Sequence, residues 1–586
     1  MKHKIVTTLI IPVIALSLCS CSIFRATIEK NLSVYNLDKY EDGAALSTCK
    51  TSDVRARFNK GQEYVPYLSL RQYASLHDSH LLDDAVSNVT RKNDKVTWSV
   101  IYGNSIYFLT QIDFKTKEVV TAGSLDAVFK TDDDTRDTSS LYFGNHTEYD
   151  AKLLGSSYYA HYSFANQDID YFSYMGDYYL PLAFYDITYC FDTTIYFYYN
   201  YNSIYSSREV DNFYNKPFVK GNKQASVIGE MINSKADEEA PSYLVKLNSS
   251  LFLYLMDNFY GLKDYKDIKT AEDYCKQIGT YTDLFSENGA IRSQAYAETL
   301  DRLDDNHTAL VAGSYVWGGE SAISRQYGTG CINRTNLRNQ LNNLRAQKTP
   351  AVYQGGNSPI VSSDGKTAMV LFNEFKFGTR DQIFNADGSI KNTAYAYDSF
   401  FALLNFFKTM QETGTVENVI LDMSTNGGGV LGVLMKLLAL ISKDNTSNLF
   451  YLEAASNQLG IATTQVDSDF NSVYDTLDCY GDDFNIYLLT SDCSFSCGNA
   501  FPCLAQKMGC AKVIGQKSGG GECAVAVHYL PNGEYVYHSS NLHLGYYDVQ
   551  SNAFTGFESG AQPDILVDNI TDFYSIDTLS NLIQNS

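Results

Sequence analysis

Three serines and two cysteines crowd the stretch LTSDCSFSCGNAF, Leu489 to Phe501, between the apolar run NIYLL and the start of a helix-like pattern. At such a strand-to-helix junction a hydroxyl is exposed, and the first N–H groups of the helix point at whatever binds there. That layout suits attack by an oxygen nucleophile on an acyl carbon. Ser491, Ser494 and Ser496 compete for the role, and an ordinary helix cap would explain any of them. Ser496 fits best, because it stands at the helix start and is followed by Cys497 and Gly498, which leave the next backbone N–H accessible. A second turn, LDMSTNGGGVLG, ends an apolar run at Asp422 and sets Gly427, Gly428 and Gly429 ahead of a helix. Consecutive glycines allow positive φ and bring bare N–H groups close to a ligand. The lysine and Ser/Thr of a P-loop are missing, so an oxyanion fits this turn as well as a phosphate would, and a merely tight turn is the other explanation.

The elements that must hold these turns are strands and helices in alternation. KTAMVLFNEF, VENVILDM, NIYLL and AKVIG read as buried strands, and YDSFFALLNFFKTMQ, GVLMKLLALIS and AFPCLAQKMG as the helices between them. This predicts an α/β region over residues 366–586, a mainly parallel sheet with covering helices. Chemistry in such folds sits at the carboxyl ends of strands, where both turns fall. Residues 242–310 carry apolar residues at helical spacing and end in DDNHTAL. Residues 311–365 are polar and rich in Asn and Gln, and read as a connector. Residues 30–235 form a separate, mostly β region rich in tyrosine, twelve of them between Tyr171 and Tyr214. Aromatic and β-branched runs suit a half-buried pleated surface. A tyrosine-rich sheet core is the commoner outcome of that pattern and a glycan- or peptide-binding face the rarer one. NSKADEEAPS, Asn233 to Ser242, reads as a linker between the two regions.

Composition narrows the partners. A net charge of −22 excludes nucleic acid, because binding phosphates takes clusters of Lys and Arg. The chain opens with MKHK, a 14-residue apolar run from Ile5 to Leu18, and the sequence LCSC. This is a secretory signal, too short for a membrane span. LCSC resembles the bacterial lipoprotein signal, with Cys21 as the lipidated residue and residues 1–21 as the signal peptide. The expected location is outside the cytoplasm, in the envelope or at the cell surface, anchored to the membrane by lipid. Ten cysteines follow Cys21, six of them between Cys479 and Cys523, and in an oxidising compartment disulfides are the expected use. Cys493, Cys497, Cys503 and Cys510 form no CxxC pair and there is no HExxH, so neither a metal nor a cofactor is expected.

Five marks in order resemble the C-terminal processing (tail-specific) serine peptidases: Asp304 to Thr308, Asp422 to Gly429, Ser494 to Phe501, Val513 to Ser518, and Gly560 to Ile565. The resemblance covers about residues 242–575. It implies an extracytoplasmic endopeptidase acting on peptide or protein, with Ser496 as nucleophile. Where many members carry an activating lysine this chain has Gly521, and Lys517 is a poor substitute. The resemblance to the tricorn-like branch instead implies His307 as general base and Glu558 as its partner, with the backbone N–H groups of Gly428 and Cys497 holding the oxyanion. Asn306 stands where that branch has a hydroxyl residue before the histidine, and Asn499 where many members have a glutamate. The 311–365 connector is too short for the PDZ module that the family commonly inserts. His528, His538 and His543 follow the serine and would serve an esterase or lipase of α/β-hydrolase order. His528 and His538 alternate with apolar residues as structural histidines do, whereas His307 lies in a polar turn. An inactive relative that binds peptide or glycan is the third reading.

Overall fold

The computed structural model describes residues 27–40, 45–125, 128–130, 144–154, 159–208, 213, 238–312, 323–354, 356 and 358–586. The signal segment, Cys21 and residues 233–237 of the expected linker lie outside the described residues.

A six-stranded sheet holds both turns. Its order is Ile360–Val361, Thr367–Leu371, Asn418–Asp422, Asn485–Thr490, Lys512–Gly515 and Ile565–Leu566. The first pairing is antiparallel and the four others are parallel. Strand side chains alternate between faces, and here both faces are covered, which is why the strands read as unbroken apolar runs. Val419, Leu421, Leu488 and Val513 pack with helices Ser399–Thr413, Leu431–Ile441 and Cys497–Met508. Met369, Ile420, Leu489 and Ile514 face the other way, onto Leu341, Tyr353, Phe573 and Leu579.

Leu341 belongs to a helix at Thr329–Lys348, inside the stretch read from sequence as a polar connector. Only Leu341 and Arg345 of its twenty residues are buried, so it has no apolar stripe to betray it.

The tyrosine-rich half contains a seven-stranded and a five-stranded sheet, with helix Leu182–Thr193 among them. Tyr73, Tyr185 and Tyr189 are fully buried, and Tyr73 stacks on Tyr185 with centroids 4.9 Å apart. These three tyrosines are core, whereas Tyr102, Tyr149 and Tyr159 are exposed. The expectation of a separate region fails at two places. Strand Asn145–Leu153 pairs along its whole length with Gln458–Val466, which would otherwise be a bare sheet edge. One hydrophobic core also runs from Leu32 through to Val536. The ten described cysteines are all free thiols, so the expected disulfides are not formed among them.

Candidate active site

The three serines differ in where their hydroxyls go. Ser491 Oγ donates to the Ser424 carbonyl at 2.6 Å, and Ser494 Oγ to the Met423 carbonyl at 2.7 Å. Both are buried and tie the serine turn to the glycine turn. Ser496 is half-buried, and among the described residues its hydroxyl has no hydrogen bond. Its backbone has φ 57° and ψ −128°, an uncommon conformation for a residue with a side chain, at the N-terminus of helix Cys497–Met508. A sharp strand-to-helix turn of this kind lifts a side chain clear of the sheet.

The glycine turn lies directly against it. Gly428 has φ 106°, and a Cβ there would stand 2.7 Å from Ser496 Cβ and 3.0 Å from Cys497 N. Gly429 approaches the Phe375 backbone as closely, a Cβ falling 2.2 Å from its carbonyl oxygen. Asp422, which ends the strand, is an anchor: its carboxylate accepts from Ser424 and Tyr353 and pairs with Arg345 at 3.2 Å. The two expected oxyanion donors differ. No acceptor holds the Cys497 N–H among the described residues, whereas the Gly428 N–H donates to Asn426 Oδ1 at 2.8 Å. The Gly428 proton is thus engaged within its own turn.

His307 reaches the serine turn through Phe495, the residue before Ser496. The two rings meet edge to face with centroids 4.8 Å apart. Asp305 shapes the loop, accepting from the His307 backbone N–H at 3.0 Å and from the Thr308 and Ser539 hydroxyls. His307 Nδ1 is buried with no hydrogen-bond partner. Burial pushes the imidazole pKa below its ordinary value, with the Asp305 carboxylate and the main chain of Cys523 pulling the other way. Glu558 Oε2 accepts the N–H groups of Gly521 and Glu522, both at 3.0 Å. Gly521 in turn packs on the Phe495 ring, and Gly520 accepts the Ser496 N–H at 3.0 Å. Burial raises the Glu558 carboxyl pKa, and the Asp305 and Glu522 charges add to the rise. Ser496, His307 and Glu558 are thus gathered around Phe495 without direct hydrogen bonds between them. In enzymes without substrate such bonds are often long.

Sequence reasoning missed the helix that clamps the site. Asp304 caps its first turn through the N–H groups of Gly330 and Cys331, at 2.8 and 2.7 Å, so the His307 loop and this helix are joined. Arg334 bonds the Asp492 carbonyl at 2.8 Å and the Gly519 carbonyl at 2.9 Å, and lies 4.8 Å over the Phe495 ring. Arg338 bridges the two turns, donating to Thr425 O at 3.0 Å and Cys493 O at 3.3 Å. Arg345 holds Asp422, Ser424 and Thr425. The signal was there: arginines at i, i+4 and i+11 fall within about 40° of one another on a helix.

The sequence model of peptidase family S41 matches residues 388–567, the stretch that contains both turns and Glu558. Over those residues the chain is similar to peptidase family S41. What that match supports for the chain is serine-type peptidase activity. No curated protein sequence matches the chain. Among solved structures, one of a putative peptidase from Parabacteroides merdae aligns at 18% identity and TM-score 0.40, over 59% of this chain and 96% of that one. The photosystem II D1 C-terminal processing protease aligns at 14% and 0.24, over 35% and 43%. Mature CPAF complexed with lactacystin aligns at 11% and 0.35, over 59% and 97%.

Three positions depart from the expected motif pattern: Gly521, Asn499 and Asn306. Gly521 has φ 85°, and a Cβ there would stand 2.5 Å from the Phe495 ring, so no lysine fits. Lys517 is exposed. Asn499 is a strut: its amide donates to the Phe557 carbonyl at 3.0 Å and its carbonyl accepts from Ser518 at 2.6 Å, fixing the loop that carries Glu558. Asn306, in place of a hydroxyl residue, is exposed and accepts from the Cys331 thiol. His528 and His538 are buried and stacked at 5.2 Å, with Cys190 and Ser539 as hydrogen-bond partners. His543 pairs with Glu522 at 2.7 Å, and none of these three histidines hydrogen-bonds a serine of the turn among the described residues.

Two groups of side chains could hold a metal among the described residues: Glu522, Cys523 and His543, and Asp467, Asp469 and Asp478. The carboxylates of Asp467 and Asp478 are taken up by backbone N–H groups of their own loop.

Proposed function

We propose that this protein is an exported, lipid-anchored endopeptidase that cleaves peptide bonds through an acyl-enzyme on Ser496, with His307 as general base. The observation that carries the reading is that Ser496 alone of the three serines keeps an unspent hydroxyl, on a strained backbone facing Gly428. His307 takes the Ser496 proton as the oxygen attacks the carbonyl carbon, then returns it to the leaving amine. A pKa lowered by burial keeps the imidazole neutral and ready to accept that proton. Glu558, ionised, offsets the imidazolium that forms. The Cys497 N–H receives the oxyanion, a contribution of about 3 kcal/mol per donor. Gly428 joins when its N–H swings from Asn426 or shares its proton with both acceptors. The signal segment and Cys21 give the location, and peptide enters the cleft without help from a full PDZ module.

One observation favours a second reading, a relative that binds peptide without cutting it: the Gly428 N–H is engaged and the triad makes no internal hydrogen bond. Labelling by a serine-directed phosphonate separates the two. Wild type labels and Ser496→Ala, His307→Ala and Glu558→Ala do not, or label far more slowly, if the first reading holds. A folded wild type that resists the reagent while binding peptide establishes the second.

A further inference from the structure

The strand ladder behind Glu558 brings together three side chains that the peptidase reaction does not use. Strand Cys523–Tyr529 runs antiparallel to Tyr535–Asp548, and Cys523 and His543 are direct partners across it. Side chains of opposed residues emerge on the same face. Glu522, just before the first strand, folds back to the same point. Its Oε1 lies 2.7 Å from His543 Nδ1, and Cys523 Sγ lies 3.7 Å from that same nitrogen. We propose that Glu522, Cys523 and His543 form a binding site for a thiophilic divalent cation, with zinc as the expected occupant.

The donor set decides the metal. A thiolate, an imidazole and a carboxylate suit zinc, and magnesium and calcium do not take sulfur. Three protein ligands leave the fourth tetrahedral position to water. Zinc bonds of about 2.0–2.3 Å place ligand atoms about 3.3–3.6 Å apart. The sulfur–nitrogen spacing is already close to this, and the nitrogen–oxygen spacing has only to open by roughly half an ångström.

A plain Glu–His hydrogen bond leaves the neighbourhood unbalanced. One nitrogen faces both an oxygen and a sulfur. His543 Nε2 is buried without a partner. Glu522 and Cys523 are buried. Around them stand Asp305, Glu453 and Glu558, and among the described residues no Lys or Arg forms an ion pair with any of these carboxylates or with Glu522. A dication supplies the missing positive charge.

Binding has a definite proton balance. The Cys523 thiol, whose pKa burial raises, loses its proton to solvent as the sulfur–metal bond forms. The His543 proton moves from Nδ1 to Nε2, freeing the Nδ1 lone pair. The site is coupled to the Glu558 loop, because Glu522 Oε2 accepts the Glu558 N–H at 2.7 Å while Glu558 Oε2 accepts the Glu522 N–H at 3.0 Å. Metal binding therefore fixes the loop on which Glu558 is held. The inference stands whether or not Ser496 is the nucleophile.

Cobalt(II) titration of the chelator-stripped full-length protein tests it. The expected result is one equivalent of tetrahedral cobalt with a thiolate charge-transfer absorption, bleached by zinc, retained in Ser496→Ala and lost in Cys523→Ser. His543→Ala should weaken cobalt affinity at least tenfold. A folded wild type, checked by circular dichroism, that shows no charge-transfer absorption overturns the proposal. So does a Cys523→Ser protein that keeps the wild-type band, which would place the metal elsewhere.

Discussion

Gly428→Ala is the sharpest perturbation of the candidate site. At φ 106° an alanine is strained whatever the space around it, and its Cβ would stand 2.7 Å from Ser496 Cβ and 3.0 Å from both Cys497 N and Phe495 O. Backbone strain of this kind costs about 1–3 kcal/mol. The overlap with Ser496 can be relieved only by moving one turn away from the other. The two turns are cross-tied through Ser491, Ser494 and Arg338, so the serine or the oxyanion donor shifts by a sizeable fraction of an ångström. A misplacement of about 1 Å costs roughly 10²-fold in rate, and loss of an oxyanion donor about 10²–10³-fold. The phosphonate labelling rate of Gly428→Ala should therefore fall by about 10²-fold or more. Gly427→Ala is the control: its φ is ordinary, and its Cβ would meet only the Arg338 guanidinium, at 3.6 Å. It should label within a few-fold of wild type. Equal rates for the two variants, with both folded, would refute the placement of Gly428 against the nucleophile.

Three further outcomes follow from the same geometry. Because burial lowers the His307 pKa, the base stays neutral further into acid than a free imidazole, and the labelling rate should fall only as pH drops through a midpoint below 6.5; a midpoint at or above 6.5 in the pH–rate profile counts against His307. Gly521→Lys, which restores the residue many relatives carry, should reduce labelling rather than raise it, since the Phe495 ring occupies the side chain's space; faster labelling would show that the loop can open. Arg345→Met leaves buried Asp422 without its cation, a loss of about 3–5 kcal/mol, and should lower the thermal midpoint and the labelling rate together; an unchanged melting curve would mean that Tyr353 and Ser424 suffice to hold the carboxylate.

Much of the sheet was legible because its strands are buried on both faces and so read as unbroken apolar runs, each followed by a helix. The glycine turn was visible as three glycines after such a run. Other features are carried by contacts with no local signature. The Thr329–Lys348 helix binds the site through arginines rather than an apolar stripe, so a hydrophobicity pattern passes over it. The pairing of Asn145–Leu153 with Gln458–Val466 joins strands more than 300 residues apart, and the sequence of neither names the other. Cysteine spacing along the chain hid the meeting of Cys523 with His543, which arises only when the ladder sets them side by side. The choice among Ser491, Ser494 and Ser496 needed the partners of each hydroxyl, and two of the three are spent on the glycine turn.

The central claim is most directly tested by mapping the phosphonate adduct within Leu489–Phe501 by tandem mass spectrometry. The account predicts a single modified residue, Ser496. An adduct on Ser491, Ser494 or Cys497, or a fully folded protein with no adduct in this segment, would contradict it.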